Sequence, residues 1–129
     1  MGMPVVHFEV IAKDETGGEA LRSFYSELFG WEIDADNPIG YGSVGREGNL
    51  DDDGVGIGGG IMAAPDEYEG HVTVYVEVPD IEAAMEKAVA LGGERMMGPD
   101  EVPGGPTIGQ VTDVAGKMIG LIQKGTRQV

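Results

Sequence analysis

The sequence predicts an α+β protein assembled from two βαβββ modules, and three observations carry that prediction. VHFEVIAKD (6–14) overlays VTVYVEVPD (72–80) without a gap, and both read as strands because β-branched and aromatic residues are frequent in them. Each is followed by an apolar-periodic segment that stops at glycine, then by three short strand candidates. Gly30 falls on Gly92 once the first half is allowed four extra residues, assigned to ETGG, which makes the chain an internal pseudo-repeat.

Module one, about residues 4–63, opens with a strand over 4–12 and the turn KDETGG. From Glu19 to Phe29 the residues Ala20, Leu21, Phe24, Tyr25, Leu28 and Phe29 recur at helical spacing, and Gly30 supplies the stop. WEID, YGSVGRE and VGIGGGIM follow as strands, separated by Asn-Pro and by the acidic turn NLDDDG. Module two, about residues 70–124, starts with the strand HVTVYVEV (71–78). Asp80 is placed to cap the helix IEAAMEKAVAL, whose apolar face is Ile81, Ala84, Met85, Ala88 and Leu91. ERMM, PTIGQVTD and KMIGLIQK are the remaining strands, with GPDEVPGG as a loop. At 129 residues both modules fit one domain, 1–129.

Composition narrows the partners. Eight Lys and Arg against 23 Asp and Glu give a formal charge of −15, a field that repels nucleic-acid phosphates and anionic lipid headgroups and concentrates cations. The chain has no cysteine, which excludes disulfides, thiolate nucleophiles, sulfur-ligated zinc and iron–sulfur clusters. MGMPVVHFEV lacks a basic segment before its apolar run, and no stretch approaches a membrane span, so a cytoplasmic location is expected.

Two helices are too few to cover both faces of two four-stranded sheets, so one face of each sheet is left to line a cavity or an interface. Period-two alternation sorts the strand residues between the faces. Val72, Val74, Val76 and Val78 are assigned to the helix-packed side, and His71, Thr73, Tyr75 and Glu77 to the other. In the first strand Val6, Phe8 and Val10 face the helix, while His7 and Glu9 project the opposite way with Val5 and Ile11. The candidate ligand-binding residues are therefore His7, Glu9, His71, Thr73, Tyr75 and Glu77.

HFEV, the helix FYSELFGWEI, the central GGGIM, the unit VEVPDIEAAMEKAVALGG and the closing D-x-x-G-K-x-I-G-L together resemble the vicinal oxygen chelate superfamily of glyoxalases, bleomycin-resistance proteins and extradiol dioxygenases. The resemblance implies two βαβββ modules forming a half-open mixed β-barrel-like sheet around a cavity, in a homodimer that helps to close it. In metal-using relatives the ligands come from the first and the late strand of each module. His7 matches the first of these positions, and its counterpart in the second module is Thr73, with His71 two residues away. The last strand carries Gly120 where those relatives usually carry a glutamate, and GIGGGIM offers no ligand in module one. His7 and His71 are the candidate metal ligands, with Glu9 or Glu77 needed to complete a site.

Other signals are set aside. GVGIGG satisfies G-x-G-x-x-G, but IMAAP follows it where a dinucleotide loop needs a helix. Asp51, Asp52 and Asp53 lack the alternating ligand spacing of a calcium loop and read as a solvated turn. Ser23, Ser26 and Ser43 have no patterned base beside them, and Met62, Met85, Met96, Met97 and Met118 read as adaptable packing. Glu9 and Glu77 are the carboxylates placed for proton transfer. The expected function is the binding of a small organic molecule, favouring a cation, without a complete catalytic metal site and without a cofactor. The alternative is a divalent-metal-dependent lyase, isomerase or dioxygenase acting on a vicinal dioxygen substrate.

Overall fold

The computed structural model describes residues 2–13, 17–64 and 68–127. Residues 14–16 of the turn KDETGG lie outside them, as does Pro65 of IMAAP. Two compact units emerge: His7–Val72, and Thr73 onward together with the residues before His7. The strand β1 (Val5–Ala12) is followed by helix α1 (Gly18–Phe29) and strands β2 (Ile33–Asp34), β3 (Gly42–Val44) and β4 (Gly58–Ala63). Then come β5 (His71–Val78), helix α2 (Ile81–Ala90), β6 (Glu94–Glu101), β7 (Thr107–Thr112) and β8 (Met118–Gln123). This is the predicted α+β class with two βαβββ modules.

The pairing repeats from one module to the other. In the first, β1 runs parallel to β4, and β4–β3 and β3–β2 are antiparallel. In the second, β5 runs parallel to β8, and β8–β7 and β7–β6 are antiparallel. The registers correspond as well: Glu9 stands opposite Gly60, and Tyr75 opposite Gly120.

In the first unit, Gly30 ends α1 in a left-handed conformation (φ 73°) that an L side chain resists, and its N–H donates to the Ser26 carbonyl at 2.8 Å. The Ser26 hydroxyl donates to the Trp31 carbonyl at 2.8 Å, which orients the indole. Trp31 then lies 5.1 Å from Phe8 and stacks on Tyr25 at 5.9 Å, joining β1 to α1 through ring contacts. Phe8 thus occupies the helix side of β1, as the alternation predicts. The apolar stripe of α1 is only partly used, since Phe24, Leu28 and Phe29 remain 59%, 58% and 55% exposed.

In the second unit, α2 begins where Asp80 Oδ1 accepts the Ala83 N–H at 3.1 Å, the predicted cap. A second anchor was not legible: Gln123 on β8 accepts the Ile81 N–H at 2.8 Å and donates to the Pro79 carbonyl at 2.7 Å. Ile81 and Met85 bury against Val78, Val111 and Leu121, with Val76 and Ile119 at the margin. Two expected core positions fail. Leu91 closes the helix at its C-cap and is 67% exposed, and Val72 is 79% exposed at the start of β5, where α2 packs on β6, β7 and β8 instead. The expected loop at Gly98 also differs, because β6 continues through GPDE to Glu101 with shifts in its pairing to β7.

Candidate functional site

The face of module one opposite Phe8 and Trp31 is built around Glu9, which is 8% exposed. Its Oε1 lies 2.7 Å from His71 Nε2, and its Oε2 accepts the Tyr41 hydroxyl proton at 2.9 Å. The Tyr41 oxygen is also 2.9 Å from His7 Nε2, and the Tyr68 hydroxyl meets His71 Nδ1. Because a carboxylate only accepts, His71 Nε2 must carry a proton and donate it to Glu9. Tyr41 spends its one proton on Glu9, so its oxygen accepts from His7 Nε2–H. The result is a directed chain in which Tyr68, His71, Tyr41 and His7 all polarise toward one nearly buried carboxylate. Such charge-assisted bonds are the stronger kind.

Tyr41 is held from below. Asn37 donates through Nδ2 to the Tyr41 carbonyl and accepts the Tyr41 N–H through Oδ1 at 2.8 Å, closing a loop that aims the ring across β4. Gly60 makes that crossing possible, since a Cβ there would sit 1.8 Å from the ring. Gly59 serves the other face in the same way, with Phe8 2.3 Å from where its Cβ would be. Gly59 and Gly60 of GGGIM are therefore floor under aromatic rings, while Gly58 lets the backbone of Val44 and Arg46 approach, with a Cβ there 2.7 Å from the Val44 carbonyl oxygen. The literal G-x-G-x-x-G match runs into β4 with no helix after it. Tyr68, beside the site, has its phenol pushed above the usual tyrosine range, first by burial and then by the negative charge of Glu9.

The remaining predicted residues belong to the other unit. Tyr75 is 2% exposed; its ring covers Gly120, where a Cβ would lie 2.5 Å away, and its hydroxyl accepts from Gln110 Nε2 at 3.1 Å. Thr73 donates to the Met118 carbonyl at 2.9 Å. Glu77 pairs with Arg127 Nε at 2.8 Å. The structure thus gathers His7, Glu9 and His71 into one cluster and gives Thr73, Tyr75 and Glu77 separate partners. Alternation missed Tyr41, Tyr68 and Gln110. The run of three glycines opposite Glu9 was the available signal for Tyr41.

The donor set can be tested against a divalent metal. Among the described residues no three His, Asp or Glu groups meet as a metal cluster. The Nε2 atoms of His7 and His71 are both turned into the hydrogen-bond chain, and the late strands offer Gly58, Gly59 and Gly60 on β4 and Gly120 on β8. As arranged, these residues do not fit a three-ligand or four-ligand site. Asp51 behaves as a turn residue, its carboxylate accepting the N–H groups of Asp53 at 2.9 Å and Val55 at 3.0 Å.

A family model described as a glyoxalase-like domain matches residues 10–122. The chain belongs to the glyoxalase-like family, within the vicinal oxygen chelate superfamily. In this family it is 33% identical over 110 residues to the protein named "Putative glyoxylase CFP32" in Mycobacterium bovis and in Mycobacterium tuberculosis. The alignment covers 84% of this chain and 42% of those relatives, so the chain spans about two fifths of their length. Among solved structures, Streptomyces coelicolor methylmalonyl-CoA epimerase in complex with 2-nitronate-propionyl-CoA matches with a TM-score of 0.62 at 14% identity, covering 96% of this chain and 99% of that one. The 2,2',3-trihydroxybiphenyl 1,2-dioxygenase of Sphingomonas wittichii matches with a TM-score of 0.61 at 12% identity, covering 99% of this chain and 43% of that one. At these identities the glyoxalase-like chain shares their fold.

Proposed function

We propose that this glyoxalase-like chain binds a small organic molecule against the polar faces of its modules, as a cytoplasmic homodimer, with an incomplete catalytic metal site. The observation that carries the reading is the set of hydrogen bonds converging on Glu9. His71 and Tyr41 bond the carboxylate directly, and Tyr68 and His7 bond those two in turn, which supports a firm, polar, anionic lining rather than an open coordination sphere. The formal charge of −15 adds a long-range preference for a cationic guest. The exposed rings of Phe24 and Phe29 on α1 support a partner copy, which light scattering would register as a dimer.

Metal analysis of the purified protein, before and after chelation, tests the reading. Substoichiometric zinc, nickel, manganese and iron, unchanged in His7→Ala, is the expected result. One equivalent lost on His7→Ala would overturn it in favour of the metal-dependent lyase, isomerase or dioxygenase. A thermal-shift screen of basic and aromatic molecules then looks for the guest, since a ligand preferring the folded state raises the melting temperature.

A further inference from the structure

Glu77 ends the polar side of β5, and its side chain is only 15% exposed, yet it is not left to water. Arg127 reaches it through Nε at 2.8 Å, with its own side chain 33% exposed. The segment that delivers Arg127 is anchored without it. Lys124 N–H donates to the Val78 carbonyl at 2.9 Å, the Thr126 hydroxyl donates to the Gln123 carbonyl at 2.7 Å, and Thr107 N–H donates to the Thr126 hydroxyl at 3.1 Å. Arg127 can therefore swing away by rotating its side chain while the turn before it stays in place. Among the described residues its bond to Glu77 uses one of the five N–H donors of a guanidinium, short of the bidentate fork that this group can make with a carboxylate.

We propose that Glu77 anchors a subsite for a guanidinium- or ammonium-bearing ligand, and that Arg127 fills this subsite from within the chain until such a ligand displaces it. This rests on the reading of the β5 polar face as a ligand lining, and it names the chemical class of guest. The physical case has three parts. A largely buried carboxylate needs a cation beside it. The pair with Arg127 demonstrates that a guanidinium reaches it in good geometry. Arg127 is itself 33% exposed, so the group that covers the carboxylate is in contact with solvent. A tethered side chain competes at an effective concentration in the millimolar range, so it lowers apparent affinity for a free cation without abolishing it.

Calorimetric titration of ethylguanidinium, with ethylurea as the neutral isostere, tests this on the wild type, Arg127→Ala, Arg127→Lys and the double variant Arg127→Ala with Glu77→Gln. Removal of the internal competitor should tighten ethylguanidinium about tenfold in Arg127→Ala. Arg127→Lys, which keeps a competing cation, should stay near the wild type, ethylurea should not respond, and the double variant should lose the gain. Should the double variant fail to fold, the contrast between Arg127→Ala and Arg127→Lys still decides. Equal affinity in the wild type and Arg127→Ala, with aromatic molecules still stabilising both, would overturn the subsite and spare the pocket reading. No binding of any small molecule to any variant would overturn both.

Discussion

Gly60→Ala tests the Glu9 network through a residue that has no side chain in it. In the middle of a strand this change is ordinarily stabilising by about 0.5–1 kcal/mol, because alanine loses less conformational freedom on folding. Here the new Cβ would stand 1.8 Å from Tyr41 Cζ and 1.9 Å from its hydroxyl oxygen. Carbon–carbon contact is comfortable at about 3.5–4.0 Å, so the ring must retreat by roughly 2 Å. The Tyr41 oxygen is 2.9 Å from both Glu9 Oε2 and His7 Nε2, and a retreat of that size breaks both bonds. One is charge-assisted, about 1.5–3 kcal/mol, and the other worth about 0.5–1.5 kcal/mol, so the sign reverses to a net loss of about 1–4 kcal/mol. Urea denaturation read by circular dichroism measures it. In a Tyr41→Ala background the same Gly60→Ala change should cost less than about 0.5 kcal/mol, because the coupled partner is gone. An equal cost in both backgrounds would refute the claim that Gly60 exists to seat the Tyr41 ring.

Two further outcomes follow from the same geometry. Met85 is 0% exposed within the Val78, Ile81, Val111 and Leu121 cluster, so Met85→Ala should lower stability by about 2–5 kcal/mol by denaturant titration, and a loss below about 1 kcal/mol would contradict that core. Tyr68 holds its proton beyond pH 10, so below that pH its contribution to stability is complete; above it the unfolded chain ionises first and the folded state loses ground through the raised pKa. Ultraviolet tyrosinate titration should show a late-ionising phenol that is missing in Tyr68→Phe, and an unchanged titration curve after correction for one fewer tyrosine would contradict the desolvation of Tyr68 beside Glu9.

The architecture was legible because both of its signals are local. Strand alternation and helix periodicity are properties of adjacent residues, and the gapless overlay of 6–14 on 72–80 is repeated in the registers of Glu9 with Gly60 and Tyr75 with Gly120. Parity put Phe8 on the helix side, where it meets Trp31, and Glu9 on the opposite face. What it could not supply is reach. Val72 has the right parity to be core, yet it is 79% exposed, because parity assigns a face and not the element that covers it. Tyr41 heads the strand expected at YGSVGRE but lies just before the shorter β3, and the pairing of Asn37 with its backbone helps direct the ring back over β4. Arg127 sits beyond β8, where no period applies to a single long side chain.

The two modules solve one problem with different parts, and this bears on what position 120 can hold. In each, the fourth strand presents a glycine on the polar face, and an aromatic ring lies over it. Tyr41 comes in from the chain before β3 to cover Gly60, whereas Tyr75 covers Gly120 from the strand position that corresponds to Glu9. A carboxylate at 120, where the superfamily resemblance implies one, would have its Cβ 2.5 Å from the Tyr75 ring. Gly120→Glu alone therefore evicts a 2%-exposed aromatic and breaks its bond with Gln110 before it offers a ligand. Residue 120 is thus bound up with the packing of its neighbours. A substitution at 120 can be accommodated only together with a smaller residue at 75, because the two side chains claim the same volume above the sheet.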